Sequence, residues 1–540
     1  MNRKVMILMV YLCIILGMLI SLTGTVMASG ILRAAFAFPT YIDPAIGSDT
    51  SSQVALVNLY DTLVFPDTKG NPLPHVAESW EVSSDGLTWT FYLRPGIKFH
   101  DGSELTAEDV KFSMDRTLTI GEGNAYLFMG KIKETKVIDK YTVAFIMEKP
   151  YGPFISTLFL FYVVNKDRVM ENIVESGLYG DLGDYGKEYL LTHDVGSGPY
   201  MVEEFPLEEY LLMKRNPNYW IDFDPDAPDE FKMLAATQPM TLKTLMARRE
   251  IEFCDIWQSS ETLKALSKIE GIKIASFPAG SEYYLHIHTK KPPTDDIHFR
   301  KAMAWAFDYE TATKLFLGSI QAKGPNVNSL AGSDPNIFQY HQDINKAREE
   351  LKQSKYYNHL DEYTVDLDWC SEVPDEEKIA LLFMTNMDKI GINLKLVKTP
   401  WLSMVEESAT PETSPNLFNL INTARYPEAA SQLESRYHSN SAKTFLQNEW
   451  LLDPVLDEMI EDSIATINKE ERFKKYHKIQ KYIMDLCPSI FILDPQNNVA
   501  YQSEYVDWYC ARGESIPVNG YHIMVRFIKV FPEKREKLLK

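Results

Sequence analysis

The chain is expected to adopt an α/β fold, and three observations carry that expectation. Between Thr88 and Leu93 the residues alternate, with Trp89, Phe91 and Leu93 on one side and Thr88, Thr90 and Tyr92 on the other, the period of a half-buried strand. From Glu376 to Lys398 a helical pattern stops at Gly391 and runs into a strand, a helix–strand unit. Elements of both kinds keep mixing along the chain with no sustained repeat, which is the α/β pattern. The 540 residues leave room for about two to four domains. A 45% apolar and 24% charged composition suits a globular chain. The net charge of −20, with no basic stripe to offset it, excludes nucleic acid as a partner class and serves solubility.

The first thirty residues differ in kind. Arg3 and Lys4 precede an apolar run from Val5 to Ile20, and "VMASG" then places Val26 and Ala28 at small-residue cleavage positions. This is the layout of a secretory signal peptide over 1–28, with cleavage expected after Ala28; an uncleaved anchor is the competing reading. No cysteine follows the run, so a lipoprotein anchor is not indicated. The chain is thus expected to be exported, to a periplasm or a cell surface. Cys254, Cys370, Cys487 and Cys510 would then meet an oxidising compartment, where three pairings are open and none is required.

Further along, "WEVSSDGLTWTFYLRPGIKFHDGSELTAEDV" (80–110) reads as three strands separated by turns, then a helix capped at Thr106 with Glu108 and Asp109 in its first turn. His100 and Asp101 are assigned to a turn, and the carboxylates to the helix N-terminus. "KVIDKYTVAFIM" (136–147) reads as a hairpin and "YLLMKRNPNYW" (210–220) as a strand ending in a proline turn. "QPMTLKTLMARREIEFCDIW" (238–257) reads as a helix running into a strand. A strand, "YYLHIHT", stops before Pro292 and Pro293, and a helix carrying Phe299, Met303 and Phe307 on one face follows. Residues 455–487 read as one long helix leading into the strand "SIFIL".

Catalytic signatures are missing: no nucleophile elbow, zinc-protease helix, phosphate loop, calcium loop or CxxC occurs. "GDLGDYGKEY" (180–189) has the wrong spacing for a phosphate loop. His286 and His288 share a strand face without a third ligand, which is weak ground for a metal site. The carboxylates offer no reason to single out a catalytic pair. No enzyme, cofactor or metal is therefore expected.

An ordered series of motifs then takes over the argument. "NLYDTLV" (58–64), the 74–113 block around the stretch above, "GSGPYMV" (196–202) and "KRNPNYW" (214–220) come first. "YYLHIHTKKPPTDDIHFRKAMAWAFDYE" (283–310), "DINKAREELKQS" (343–354), "MTNMDKIGINLKLV" (384–397) and "YHKIQKYIMDLCPSIFILDP" (476–495) complete it. In these motifs and their order the chain resembles the family 5 (peptide/nickel type) solute-binding proteins of ABC transporters. The resemblance implies a periplasmic-binding-protein-like two-lobe fold of class II with an additional inserted domain. Domain I would comprise 31–59, 190–285 and 495–540, the inserted domain II 60–189, and domain III 286–494. It also implies capture of a small solute by hinge closure and delivery to a membrane permease with its ATPase, the binding protein acting as a monomer. An exported hydrolase and a ligand-sensing receptor on the same fold are the alternatives.

Family members bind peptides, nickel chelates, oligosaccharides and opine-like compounds, so membership does not name the solute. Peptide binders carry, after a strand of the second lobe, an aspartate that meets the peptide's α-amine. In "LINTARYPEAAS" (420–431), Tyr426 and Glu428 match that pattern, but Arg425 stands in place of the aspartate and Asn422 in place of a tryptophan. A guanidinium beside a buried ammonium is repulsive, whereas its planar fork suits a carboxylate. An anionic solute, or a sugar, is therefore expected in preference to an ordinary free-amine peptide. The competing account is that Arg425 pairs internally, with Glu428 or another acid. The remaining ligand-binding candidates are Trp401, Trp257, Tyr284, Trp369 and Tyr41, with Asp43 and Tyr283 beside them; each aromatic serves equally well as core.

Overall fold

The computed structural model describes residues 30–540, so the signal-peptide reading of 1–28 lies outside the described residues. Two lobes are each built on a sheet. In the first, strand Ile31–Phe36 runs parallel to Glu230–Ala235, which pairs antiparallel with Tyr210–Arg215 and through it with Tyr200–Glu204. Phe253 extends this sheet by bridging in parallel to Ala34 and antiparallel to Tyr501, on the ribbon of Ile272–Pro278 and Gln496–Gln502. In the second lobe six strands lie in the order Ile320–Gln321, Ser489–Asp494, Ser281–Ile287, Leu417–Thr423, Val365–Cys370 and Leu394–Thr399. The last three run parallel to one another.

The lobes are joined where the chain passes from Pro278 to Ser281 and back from Asp494 to Gln496, so the same two strand pairs continue from one sheet into the other. An antiparallel four-stranded sheet of Ala77–Val82, Thr88–Leu93, Thr142–Met147 and Ile132–Asp139 flanks the first lobe. Trp89, Phe91 and Leu93 are buried on one side of it, as their alternation predicts.

Helix Ala107–Ile120 begins at Thr106 with the expected capping box, closed by Asp109. Helix Pro374–Asp388 and strand Leu394–Thr399 form the expected unit around Gly391. Three elements differ from the sequence reading. No third strand follows Thr88–Leu93: only Lys98 and Glu104 bridge, because Gly96 and Gly102, at φ 83° and 90°, fold the segment into successive turns. Its His100 does more than turn the chain, since the ring pairs with Asp194 and reaches Gly198 O at 3.0 Å, tying the hairpin to the 194–198 loop. The segment after helix Pro239–Ala247 contributes the single bridging residue Phe253 rather than a strand.

The third difference is that 455–487 is two helices, Pro454–Ala465 and Lys469–Leu486. Asn468 caps the second by accepting from Glu471 N. Arg472 takes up the carbonyls freed at the break, Thr466 O at 3.0 Å and Ile467 O at 2.9 Å. All four cysteines of the described residues are free and buried. His286 is held by Glu449 at 2.8 Å and His288 by the carbonyl of Pro411 at 2.9 Å, so each ring has a protein partner.

Candidate functional site

Parallel strands present their carboxyl ends, and the loops leaving them, along one edge; in open α/β sheets that edge is where ligands bind. In the second lobe the three parallel strands end at Cys370, Thr399 and Thr423, and the chain then enters Ser371–Val373, Pro400–Trp401 and Ala424–Arg425. In the first lobe the parallel strands end at Phe36 and Ala235, and the bridge at Phe253 leads into Asp255–Gln258. Tyr41 and Trp257 follow those ends, whereas Arg425 and Trp401 follow the ends in the second lobe.

Several contacts join the second lobe to segments that precede it in the chain. The Arg425 guanidinium lies over the Tyr126 ring of the first lobe, 5.8 Å from its centroid. Glu261 of the first lobe and Lys378 of the second are close enough for their charges to interact. The Tyr426 hydroxyl meets that of Tyr151 at 3.0 Å, and Gly152 N donates to Ile464 O at 2.7 Å.

Arg425 is exposed, and no carboxylate lies within ion-pair distance of it among the described residues. Its backbone is fixed by Arg425 N donating to Ser431 Oγ at 2.7 Å. Glu428 is committed elsewhere: Arg472 Nε approaches it at 2.8 Å, the Tyr476 hydroxyl donates at 2.7 Å, and Ser156 Oγ of the first lobe lies 3.4 Å away. The internal pairing of Arg425 with Glu428 is therefore not formed.

Of the other candidates, Trp257 is 70% exposed and Tyr41 and Trp401 are half-buried. Trp401 packs edge-on against Phe445 with ring centroids 4.9 Å apart. Four candidates lie inside the protein. Tyr284 stacks under the Arg436 guanidinium, 3.4 Å from its ring centroid, beside the buried Glu282–Arg436 pair at 2.9 Å. Asn422 faces the same interior near Gln432, and Tyr426 is buried against Tyr151. Trp369 and Tyr283 belong to the second lobe's core, where Tyr283 packs on Phe316. Asp43 is likewise buried, gripped by both Arg116 Nη atoms at 2.6 Å, which anchors the loop that carries Tyr41.

Sequence reasoning passed over Tyr126 and Glu372. Glu372 is exposed just past the end of Val365–Cys370, and one of its oxygens accepts Ser371 Oγ at 2.7 Å, Trp401 N at 3.1 Å and Cys370 Sγ at 3.2 Å. The hydroxyl of Ser371 and the thiol of Cys370 hold its carboxyl below the usual range. Behind it Glu376 is buried and accepts Cys370 N at 2.7 Å; burial pushes its carboxyl up to about 8. Across the cleft, Asp255 accepts from Trp257 N and Gln258 Nε2, and burial raises its carboxyl also. Among the described residues the edge thus carries a cation without an acidic partner, an exposed carboxylate and partly exposed aromatic side chains.

The chain is similar to known proteins of one family. Residues 71–444 match the family described as "Bacterial extracellular solute-binding proteins, family 5 Middle". The probable D,D-dipeptide-binding periplasmic protein DdpA of Escherichia coli K12 is 26% identical over 480 residues, covering 86% of this chain and 88% of that protein. Among solved structures, the ABC transporter substrate-binding protein CtaP from Listeria monocytogenes superposes with a TM-score of 0.79 at 20% identity, covering 93% of this chain and 99% of that one. The periplasmic binding protein AgaA from A. tumefacien R10, solved with agropinic acid, superposes with a TM-score of 0.69 at 20% identity, over 93% of this chain and 99% of its own.

Proposed function

The chain belongs to the bacterial extracellular solute-binding proteins of family 5, the capture components of ABC importers, and from that premise we propose that this member takes up an anionic, carboxylate-bearing solute anchored on Arg425. The observation that carries the reading is an exposed guanidinium at the carboxyl edge of the second lobe that has no acidic partner among the described residues and faces Tyr126 of the first. A carboxylate entering between the lobes would complete the guanidinium fork, and Tyr126, Tyr41, Trp257 and Trp401 would supply the walls. Because such a solute contacts both edges, it favours the closed arrangement over the open one, which is the capture step. The exported protein then delivers it to a membrane permease, and no covalent step is assigned to any residue. Relatives named for dipeptide and glutathione binding, and a neighbour solved with agropinic acid, supply carboxylate-bearing precedents.

Titration calorimetry with matched pairs of solutes, carboxylate against its amide, tests this reading. Arg425→Gln is expected to weaken binding of the carboxylates by roughly 10- to 100-fold, the value of a charge-assisted hydrogen-bonded contact, and to leave the amides unchanged. Equal binding of carboxylate and amide by the unmodified protein would overturn it. Substrate turnover by the purified protein would instead favour the hydrolase alternative.

A further inference from the structure

Two carboxylates are buried where the chain crosses between the lobes. Glu282 follows the first passage, from Pro278 to Ser281, and Asp494 precedes the return to Gln496. They are 0% and 2% exposed. Each is only half satisfied. Glu282 Oε2 accepts Arg436 Nη1 at 2.9 Å and Asp494 Oδ2 accepts Asn328 N at 2.7 Å, while Glu282 Oε1 and Asp494 Oδ1 have no partner among the described residues. A buried carboxylate oxygen without a donor is costly when charged, and taking up a proton relieves it.

The charges around Glu282 do not balance. Helix Ala430–Tyr437 supplies the cation, Arg436; the neighbouring strand supplies Asp494 and the 447–450 segment Glu449. His286 pairs with Glu449 at 2.8 Å, and burial keeps its ring below the ordinary histidine value, so it adds no cation at neutral pH. The rings of Tyr284 and Tyr437 flank the guanidinium, and burial keeps their phenols neutral. Fully ionised, the cluster would set three carboxylates against one guanidinium. Glu449, although buried, is held below the usual carboxylate range by His286 and Arg436, and so balances that guanidinium. Burial, only partly offset by Arg436, pushes Glu282 up to about 8, and burial pushes Asp494 up to about 7.

One helix ties this cluster to the contact between the lobes. Helix Ala430–Tyr437 holds Glu282 through Arg436 and, through Glu434, reaches Lys131 Nζ and the Tyr151 hydroxyl, each at 3.4 Å. Tyr284 and Tyr437 belong to an apolar core that runs on into the first lobe, so parting the lobes opens a route for water to this face. We infer that Glu282 and Asp494 form a proton-operated latch on the hinge: the arrangement in which the lobes meet holds a proton on this carboxylate pair, and loss of that proton drives the lobes apart. A carboxyl that holds its proton more tightly inside than in water favours burial below its ordinary value of 4.5, and that advantage is lost as pH rises through 8. For each proton released on opening, the ratio of compact to opened molecules falls by up to about tenfold per pH unit between those limits.

Small-angle scattering of the solute-free protein from about pH 5 to about pH 9 tests the latch, with far-ultraviolet circular dichroism recorded on the same samples. The radius of gyration is expected to rise across this range at unchanged helix content. Glu282→Gln keeps an acceptor for Arg436 but cannot ionise, so it should hold the compact radius well past the wild type's transition. Asp494→Asn should expand less than the wild type, and it carries the test alone if the first variant does not fold. Glu376→Gln, which removes a different buried carboxyl, should expand as the wild type does. A radius independent of pH would overturn the inference, as would expansion of both hinge variants equal to that of the wild type. Equal loss of the expansion in Glu376→Gln would trace it to general stability, and an expansion that comes with loss of the helix signal would be unfolding; either result overturns the latch.

Discussion

Glu376, directly behind the candidate site, shows how a single buried group sets a pH response. Its carboxyl is pushed up to about 8 by burial, above the 4.5 of the unfolded chain. The folded state therefore binds the proton more tightly than the unfolded one. Stability from this group is fully present below about pH 4.5 and is lost as pH rises through 8. Thermal melts of the wild type should show a falling Tm between about pH 5 and pH 8, and Glu376→Gln, which keeps an acceptor for Cys370 N, should flatten that slope and stabilise the protein at pH 8 by of order 1–3 kcal/mol. A slope unchanged in the variant would remove Glu376 as its source. At this scale the sequence was informative wherever a residue's neighbours in the chain decide its role. The Thr106–Asp109 cap and the charge of Arg425 are of that kind. It was uninformative where a partner comes from far away: nothing near Glu428 announces Arg472, 44 residues on.

That same ion pair governs an element. Arg472 closes the break between Pro454–Ala465 and Lys469–Leu486 by binding two freed carbonyls, and it neutralises Glu428, which the chain has placed inside the interface of the lobes. Removing the cation leaves a buried carboxylate unpaired. Arg472→Met is expected to cost about 3–5 kcal/mol in urea denaturation, and Arg472→Met with Glu428→Leu distinctly less, because the second change withdraws the stranded charge. If the double variant is no more stable than the single, the carbonyl contacts and not the ion pair are the main contribution. The reading of 455–487 as one helix failed for this reason. Apolar periodicity continues across Thr466–Asn468, whereas the break depends on an arginine side chain turning back onto the backbone. Likewise Phe253 bridges singly because its partners, Ala34 and Tyr501, belong to distant segments.

Over the whole molecule, function requires the two lobes to part and to close, and the contact between them is specific. Gly152 N bonds Ile464 O, and a methyl at Gly152 would overlap the Thr466 carbonyl and crowd Arg472. Gly152→Ala is thus expected to push apart the segments that meet at this contact. Small-angle scattering should report a larger radius of gyration, and solute affinity should fall about tenfold as the closed population shrinks. A variant that closes and binds as the wild type does would show that this contact does not limit closure. No helix among the described residues is long and apolar enough to cross a membrane.

The sequence by itself determined the α/β class, most of the individual elements, the family through its ordered motifs, and the charge at position 425. Each of these depends on neighbours within a few residues or on the order of segments along the chain, both of which a linear reading preserves. Only the tertiary structure decided which candidates are exposed and which are buried. It put Tyr284, Asn422, Tyr426 and Trp369 inside the protein and left Arg425 without an acidic partner among the described residues. Those outcomes turn on which strands pair in parallel and on which buried charges find each other, and both are settled by packing between segments tens to hundreds of residues apart.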